Sequence, residues 1–167
     1  MAHKVFLEVP PTPGFETTKH LFTVNDTTVG VNGNNKRRSD VQLVQFFLKQ
    51  FYDRHPELFA KLPKTRSGAT SIKIDGDCGE QTKSGIFQFQ NHERKAGRLI
   101  STDSLVDVPK SLIASRSKTV YTILSLNLWL KEFGLGDNHF TDLENHPDIV
   151  RFAPELQSEL KAQGAGN

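Results

Sequence analysis

The stretch Asp75-Gly76-Asp77-Cys78-Gly79-Glu80-Gln81-Thr82-Lys83-Ser84-Gly85-Ile86-Phe87-Gln88-Phe89-Gln90 decides how the chain folds. Asp75-Gly76 is a turn pair, in which glycine supplies a left-handed backbone and aspartate accepts local N–H groups. Just upstream, Ile72-Lys73-Ile74 alternates apolar and polar like a short strand. Downstream, a helix is expected from about Glu80 to Lys95, with Gly97 just beyond its end. Thr82, Ile86 and Phe89 share one face of that helix, so that face should meet a partner helix.

That partner lies upstream. From Asp40 the apolar residues Val41, Val44, Phe47, Leu48 and Phe51 recur at spacings of three and four, the stripe of an amphipathic helix that Ser39 or Asp40 can cap. His55-Pro56-Glu57 opens a further short helical turn, because proline loses nothing in a first turn. Pro63 to Ser71 reads as a loop. Lys4–Val9 and Leu21–Val31 are rich in β-branched and aromatic residues, and Pro10-Pro11-Thr12-Pro13-Gly14 breaks the chain between them. Two short strands that can pair as a hairpin are expected there, followed by a polar loop from Gly30 to Asn35. Beyond the motif, Thr119 to Phe133 is a third apolar-periodic segment ended by Gly134. Pro147 and Pro154 each start a short helix, and 164–167 is a frayed tail. Val41, Val44, Gln45, Leu48 and Phe51 can be laid on Ile123, Leu126, Asn127, Leu130 and Phe133. Any two amphipathic helices match this well, so the echo is read as coincidence.

The motif resembles the signature of the peptidoglycan-binding-domain family, Asp-Gly-x-aromatic-Gly-x-x-Thr-x-x-Ala-Val-x-x-Phe-Gln. Asp75, Gly76, Gly79, Thr82, Phe89 and Gln90 match outright. Ile86 stands for the family's valine, Cys78 for its aromatic residue, and Gly85 for its alanine, at about 1 kcal/mol of helix propensity. The family's first helix carries Val-x-x-Leu-Gln-x-x-Leu, and Val41, Val44, Gln45 and Leu48 stand at that spacing. The resemblance covers about Asp40 to Leu112. It implies a mainly α fold: a three-helix core at 36–112 between an N-terminal β-rich segment (1–35) and a C-terminal helical extension packed on it (113–167). Within that core Asp75 and Gly76 make the turn, Gly79 allows close approach where the helix starts, and Gln45 and Gln90 satisfy backbone groups of the connecting loop.

Composition narrows the function classes. The 167 residues suit one domain with appendages, and 36% hydrophobic with 24% charged residues is a globular balance. Twelve Phe against one Trp and two Tyr favour core filling over a stacking platform, and a net charge of +2 is too mild for a phosphate-tracking surface. Nucleic acid is therefore not an expected partner. Lys36-Arg37-Arg38 is read as solvated surface. No run of about 20 apolar residues is present to enter a bilayer, and Met1 to Pro10 lacks a secretory leader's pattern. A cytoplasmic location is expected unless a specialised route delivers the chain to the envelope.

The chemistry-bearing residues have bland readings beside the sharp ones. Cys78 lacks a nearby histidine partner and reads as a core thiol rather than a nucleophile. Asp75 and Asp77 read as turn and capping residues rather than a carboxylate pair or a calcium loop. His139, Asp142, His146 and Asp148 fit no zinc spacing, and His146-Pro147 looks like a helix start. Trp129 reads as core. No enzyme, metal or cofactor is expected. The expected function is noncatalytic binding of peptidoglycan, with Tyr52, Arg66, Ser67, Thr70, Asp75, Asp77 and Asn91 as ligand-binding candidates and Tyr121 as a further aromatic one. The alternative is a protein-interaction or adaptor module of a secretion or phage-related system.

Overall fold

The segment after Asp40 holds more apolar residues than one helical stripe requires, and the fold buries them all. The computed structural model describes residues 2–9, 18–109, 113–114, 119–135 and 142–164. Helix α1 (Arg38–Asp53) runs through the middle, with Leu43, Phe46 and Tyr52 buried as completely as the expected stripe of Val41, Val44, Phe47, Leu48 and Phe51. It is a central helix, buried over most of its surface with polar as well as apolar residues inside, rather than an amphipathic surface helix. Around it pack α3 (Glu80–Lys95), α4 (Thr122–Leu130), α6 (Pro154–Gly164) and strand β3 (Val29–Gly30). Two shorter helices, α2 (Pro56–Phe59) and α5 (Pro147–Phe152), complete a mainly helical architecture.

Among the described residues the strands form three small antiparallel pairs. β1 (His3–Val9) and β2 (Thr18–Val24) make a hairpin, in the register His3 opposite Val24 to Val9 opposite Thr18, but the expected second strand, Leu21–Val31, is divided: β2 ends at Val24 and Val29–Gly30 forms the separate strand β3. β3 pairs with β4 (Leu105–Val106), and β5 (Ile113–Ala114) with β6 (Thr119–Val120). Ile72-Lys73-Ile74 is not a strand: Ile72 and Ile74 turn inward and Lys73 outward as the alternation implied, but the segment has no ladder partner among the described residues. Helix α3 has the expected limits, and Gly97 follows it with a φ of 93°. The third helical segment begins at Thr122 and widens into a π-helical turn, Lys131–Leu135. Pro147 and Pro154 each open a helix, whereas residues 165–167 of the expected tail lie outside the described residues.

Phe51 is the aromatic hub. Its ring packs against Tyr52, Phe89, His92 and Trp129 at centroid distances of 5.0, 5.1, 5.1 and 5.2 Å, and stacks on His55 at 4.3 Å, which joins α1, α3 and α4. Trp129 is buried, as expected. In the echo, however, Phe133 is exposed where Phe51 is buried, so the two segments are not equivalent.

The polar residues of α1 join the central helix to irregular backbone around it. Asp40 does not cap the helix; its Oδ2 accepts the N–H groups of Asp26 and Thr27, at 3.2 and 2.8 Å, and the Thr27 hydroxyl at 2.7 Å. Gln42 accepts the Leu156 N–H at 3.1 Å and donates to Glu155, holding the start of α6. Gln50 donates to Asp148 of α5. Each of these side chains stays buried through at least one such bond, although Asp40 Oδ1 has no partner among the described residues.

Among the described residues one ion pair has a buried carboxylate. Glu93 of α3 meets Arg98, which also lies 3.6 Å from Glu132 in the π-helical turn. Burial pushes the Glu93 carboxyl above its ordinary value, and the Arg98 charge offsets this only in part. The folded protein thus holds a proton at Glu93 that the unfolded chain has released, and folding stability falls as pH rises through that window. Glu93→Gln, which stays uncharged, should therefore gain stability relative to the parent as pH rises from about 4 to about 7, measured by urea unfolding across that range.

Candidate functional site

At the Asp75-Gly76 turn the motif becomes a bonded unit. Gln45 Oε1 accepts the N–H groups of Asp75 and Gly76 at 3.0 and 2.8 Å. Its Nε2 lies 2.9 Å from Asp75 Oδ1, 2.9 Å from the Asp77 carbonyl and 3.1 Å from the Thr82 hydroxyl. Gly76 has a φ of 77°, so a side chain there would be strained. Arg38 closes the turn from outside, donating to the Asp75 carbonyl at 2.6 Å and pairing with Asp77 and Glu155. The basic run around it is thus not simply solvated. Gly79 plays no part in close approach, because nothing lies within 4 Å of where its Cβ would stand. That role falls to Gly85, whose Cβ would come 3.3 Å from Leu48.

The same unit occurs a second time. Gln90 Nε2 lies 3.1 Å from Asp103 Oδ1, 3.1 Å from the Leu105 carbonyl and 3.0 Å from the Thr122 hydroxyl, and its Oε1 accepts the Ser104 N–H at 2.9 Å. Asp103 accepts the Leu105 N–H as Asp75 accepts that of Asp77, and Ser104 has a φ of 61° where Gly76 has its positive value. Sequence reading missed this copy because Ser104 hides the turn that glycine announces at Gly76.

Beside the first unit, α2, residues 60–70 and the first turn of α3 enclose a pocket of about 340 Å³. Phe59, Leu62, Pro63 and Ala69 give it apolar walls; Lys64, Thr70 and Gln81 add polar groups, with Gln81 donating to the Pro63 carbonyl at 3.1 Å. A second pocket, of about 490 Å³, lies at the other end of α3, around Arg94 and residues 97–102. No family model, curated protein or solved structure matches the chain.

The seven candidate residues do not form one site. Thr70 lines the first pocket, and Arg66 and Ser67 are exposed on the same loop. Asp75 is half-buried with Oδ1 taken by Gln45 and by the Asp77 N–H, while Asp77 is exposed and paired with Arg38. Asn91 is half-buried on α3, ten residues beyond Gln81 and so about 15 Å along the helix axis. Tyr52 is the clear correction: it is 1% exposed, its hydroxyl donates to the Gly85 carbonyl at 2.7 Å, and burial pushes its phenol well above the ordinary range. Its place at the end of α1 suggested a polar tip in water, but α3 covers that end. Tyr121 is half-buried against the core. Phe59, Leu62, Lys64 and Gln81 were missed; the available signal was the accumulation of Lys61, Lys64, Arg66 and Lys73 without an intervening acid.

The groups weighed for catalysis have structural duties. Cys78 is half-buried, and burial raises its thiol pKa, which disfavours the thiolate. His146 caps α5, its Nδ1 accepting the Asp148 N–H at 3.1 Å, and its ring stands edge-on to Phe46. Asp142 accepts from Asn145 and Asp148 from Gln50; His139 lies outside the described residues. Among the described residues no group of three His, Cys, Asp or Glu side chains is placed to hold a metal ion.

Removing the amide at the turn strands two backbone N–H groups in the interior. Gln45→Leu should lose at least about 2 kcal/mol in urea unfolding, whereas Asp77→Ala, which removes an exposed ion pair, should change stability by less than about 1 kcal/mol. Tyr52→Phe should destabilise by about 1 kcal/mol through the lost bond to Gly85.

Proposed function

We propose that the chain is a noncatalytic module that binds bacterial cell-wall peptidoglycan, with α1 and α3 as the helices that carry the family-like signature. The observation that carries this reading is the Gln45 unit. The residues shared with the peptidoglycan-binding signature, Gln45, Asp75, Gly76 and Thr82, join in one bonded arrangement, so the matched positions act together in this fold. With those residues occupied in building the turn, the pocket between α2, residues 60–70 and α3 is the open concave feature next to it, and we assign ligand binding there. The bonds made by His146 and Asp148, and the burial that disfavours the Cys78 thiolate, support a noncatalytic role.

A second reading, an interaction module within a secretion or phage-related assembly, draws on α5. Val150 is 51% and Phe152 39% exposed, and the Arg151 guanidinium lies over the Phe152 ring at 4.9 Å. Exposed aromatic and arginine side chains together are common at protein interfaces.

The purified protein should sediment with insoluble sacculi at low and moderate salt and leave their turbidity unchanged. Clearing of the suspension would refute the noncatalytic assignment. A folded protein that stays in the supernatant would refute wall binding and leave the interaction module as the reading to pursue.

A further inference from the structure

The segment between Glu57 and Asp75 carries Lys61, Lys64, Arg66 and Lys73 and no acid. Lys61, Lys64 and Arg66 are exposed, and none of the three has an ionic partner among the described residues. Lys73 lies 3.8 Å from Asp75 and is 70% exposed. Three of the nearby acids are engaged: Asp75 Oδ1 holds the turn, Asp53 pairs with Lys49 and Ser71, and Glu80 lies 3.7 Å from Lys83, while Glu57 on α2 is exposed. The pocket therefore opens into a locally cationic loop although the chain as a whole is nearly neutral.

Its walls are of a different character. Phe59, Leu62 and Ala69 offer a small apolar surface beside the Lys64 ammonium and the Thr70 hydroxyl. An apolar wall next to an unpaired cation fits a ligand whose carboxylate sits beside a small aliphatic group. Sugar rings instead favour broad, amphipathic aromatic faces, and the Trp129 and Tyr52 rings are in the core.

We infer that this pocket takes the free carboxylate end of a short peptide bearing small aliphatic side chains, and not the glycan. Lys64 receives the carboxylate, and Phe59, Leu62 and Ala69 receive the aliphatic group. The inference deepens the wall-binding reading and rests on it for the source of the ligand, since peptide stems are the wall's carboxylate-bearing part.

The test is an amide-shift titration of isotopically labelled protein at constant ionic strength. The probes are acetyl-alanyl-alanine in its D and L forms, its C-terminal amide, inorganic phosphate and an N-acetylglucosamine oligomer. Saturable shifts confined to residues 59–70 and 81 are expected with the dipeptide, weakened at least ten-fold for the amide and for Lys64→Gln. Lys64 is exposed, so Lys64→Gln should melt with the parent, and Thr70→Val gives an independent probe of the same wall. Equal binding of dipeptide and amide, shifts elsewhere, or a Lys64→Gln variant that binds like the parent overturns the inference. So does binding of phosphate or sugar without the dipeptide. Sacculus sedimentation of the same samples separates the two readings: sacculus binding without dipeptide binding sinks the peptide inference alone, and dipeptide binding without sacculus binding sinks the wall reading alone.

Discussion

An amide side chain is both donor and acceptor, and in a protein interior it is stable only when both ends are bonded. At Gln45 both ends are used on one turn: the oxygen receives two consecutive backbone N–H groups and the nitrogen reaches a carboxylate, a carbonyl and a hydroxyl. The turn fixes where Ile72 and Ile74 enter the core and where α3 begins. The start of α3, through Gln81, in turn shapes one wall of the pocket. Because α1 is buried over most of its surface, the amide is held by a rigid element, and the irregular backbone takes its conformation from the helix rather than from its own propensities.

The repetition at Gln90 shows that this is a construction principle. α1 positions the turn before α3, and α3 positions the turn of Asp103-Ser104-Leu105 and the start of α4 at Thr122. Asn127 of α4 continues the pattern with a strand as its object, exchanging bonds with both the N–H and the carbonyl of Thr23. Each core helix thus carries an amide that orders a neighbouring segment, and the hydrophobic contacts centred on Phe51 bring the three helices together.

What could be read beforehand follows from where each signal resides. The limits of α3, the proline-led helices and the hairpin were legible because turn residues, capping residues and periodicity act locally at Gly97, Pro147, Pro154 and Pro10-Pro11. The burial of Leu43, Phe46 and Tyr52 was not, because the rows off the main stripe of α1 are covered by α6 and by α3, which arrive from distant parts of the chain. Ile72-Lys73-Ile74 showed the correct inward and outward alternation yet lacks a ladder, since alternation reports burial and not pairing. For the candidate site, Thr70 and the neighbouring loop were visible as polar residues, whereas the apolar walls at Phe59 and Leu62 resembled ordinary core. Tyr52 misled because exposure at a helix end depends on what packs there.

The two ends of the described chain are joined by the same kind of bond. Gln163 of α6 accepts the Lys4 N–H at 3.0 Å and donates to the Ala2 carbonyl at 2.8 Å, and Glu159 accepts the Ala2 N–H. These contacts span up to 161 residues, so the loop-closure entropy they require is near the largest this chain can demand. Strand β1 can make these bonds only once the last helix is in place. The hairpin, although built from local pairing, therefore depends for part of its anchoring on the far end of the chain, in addition to the bonds of Thr23 with Asn127.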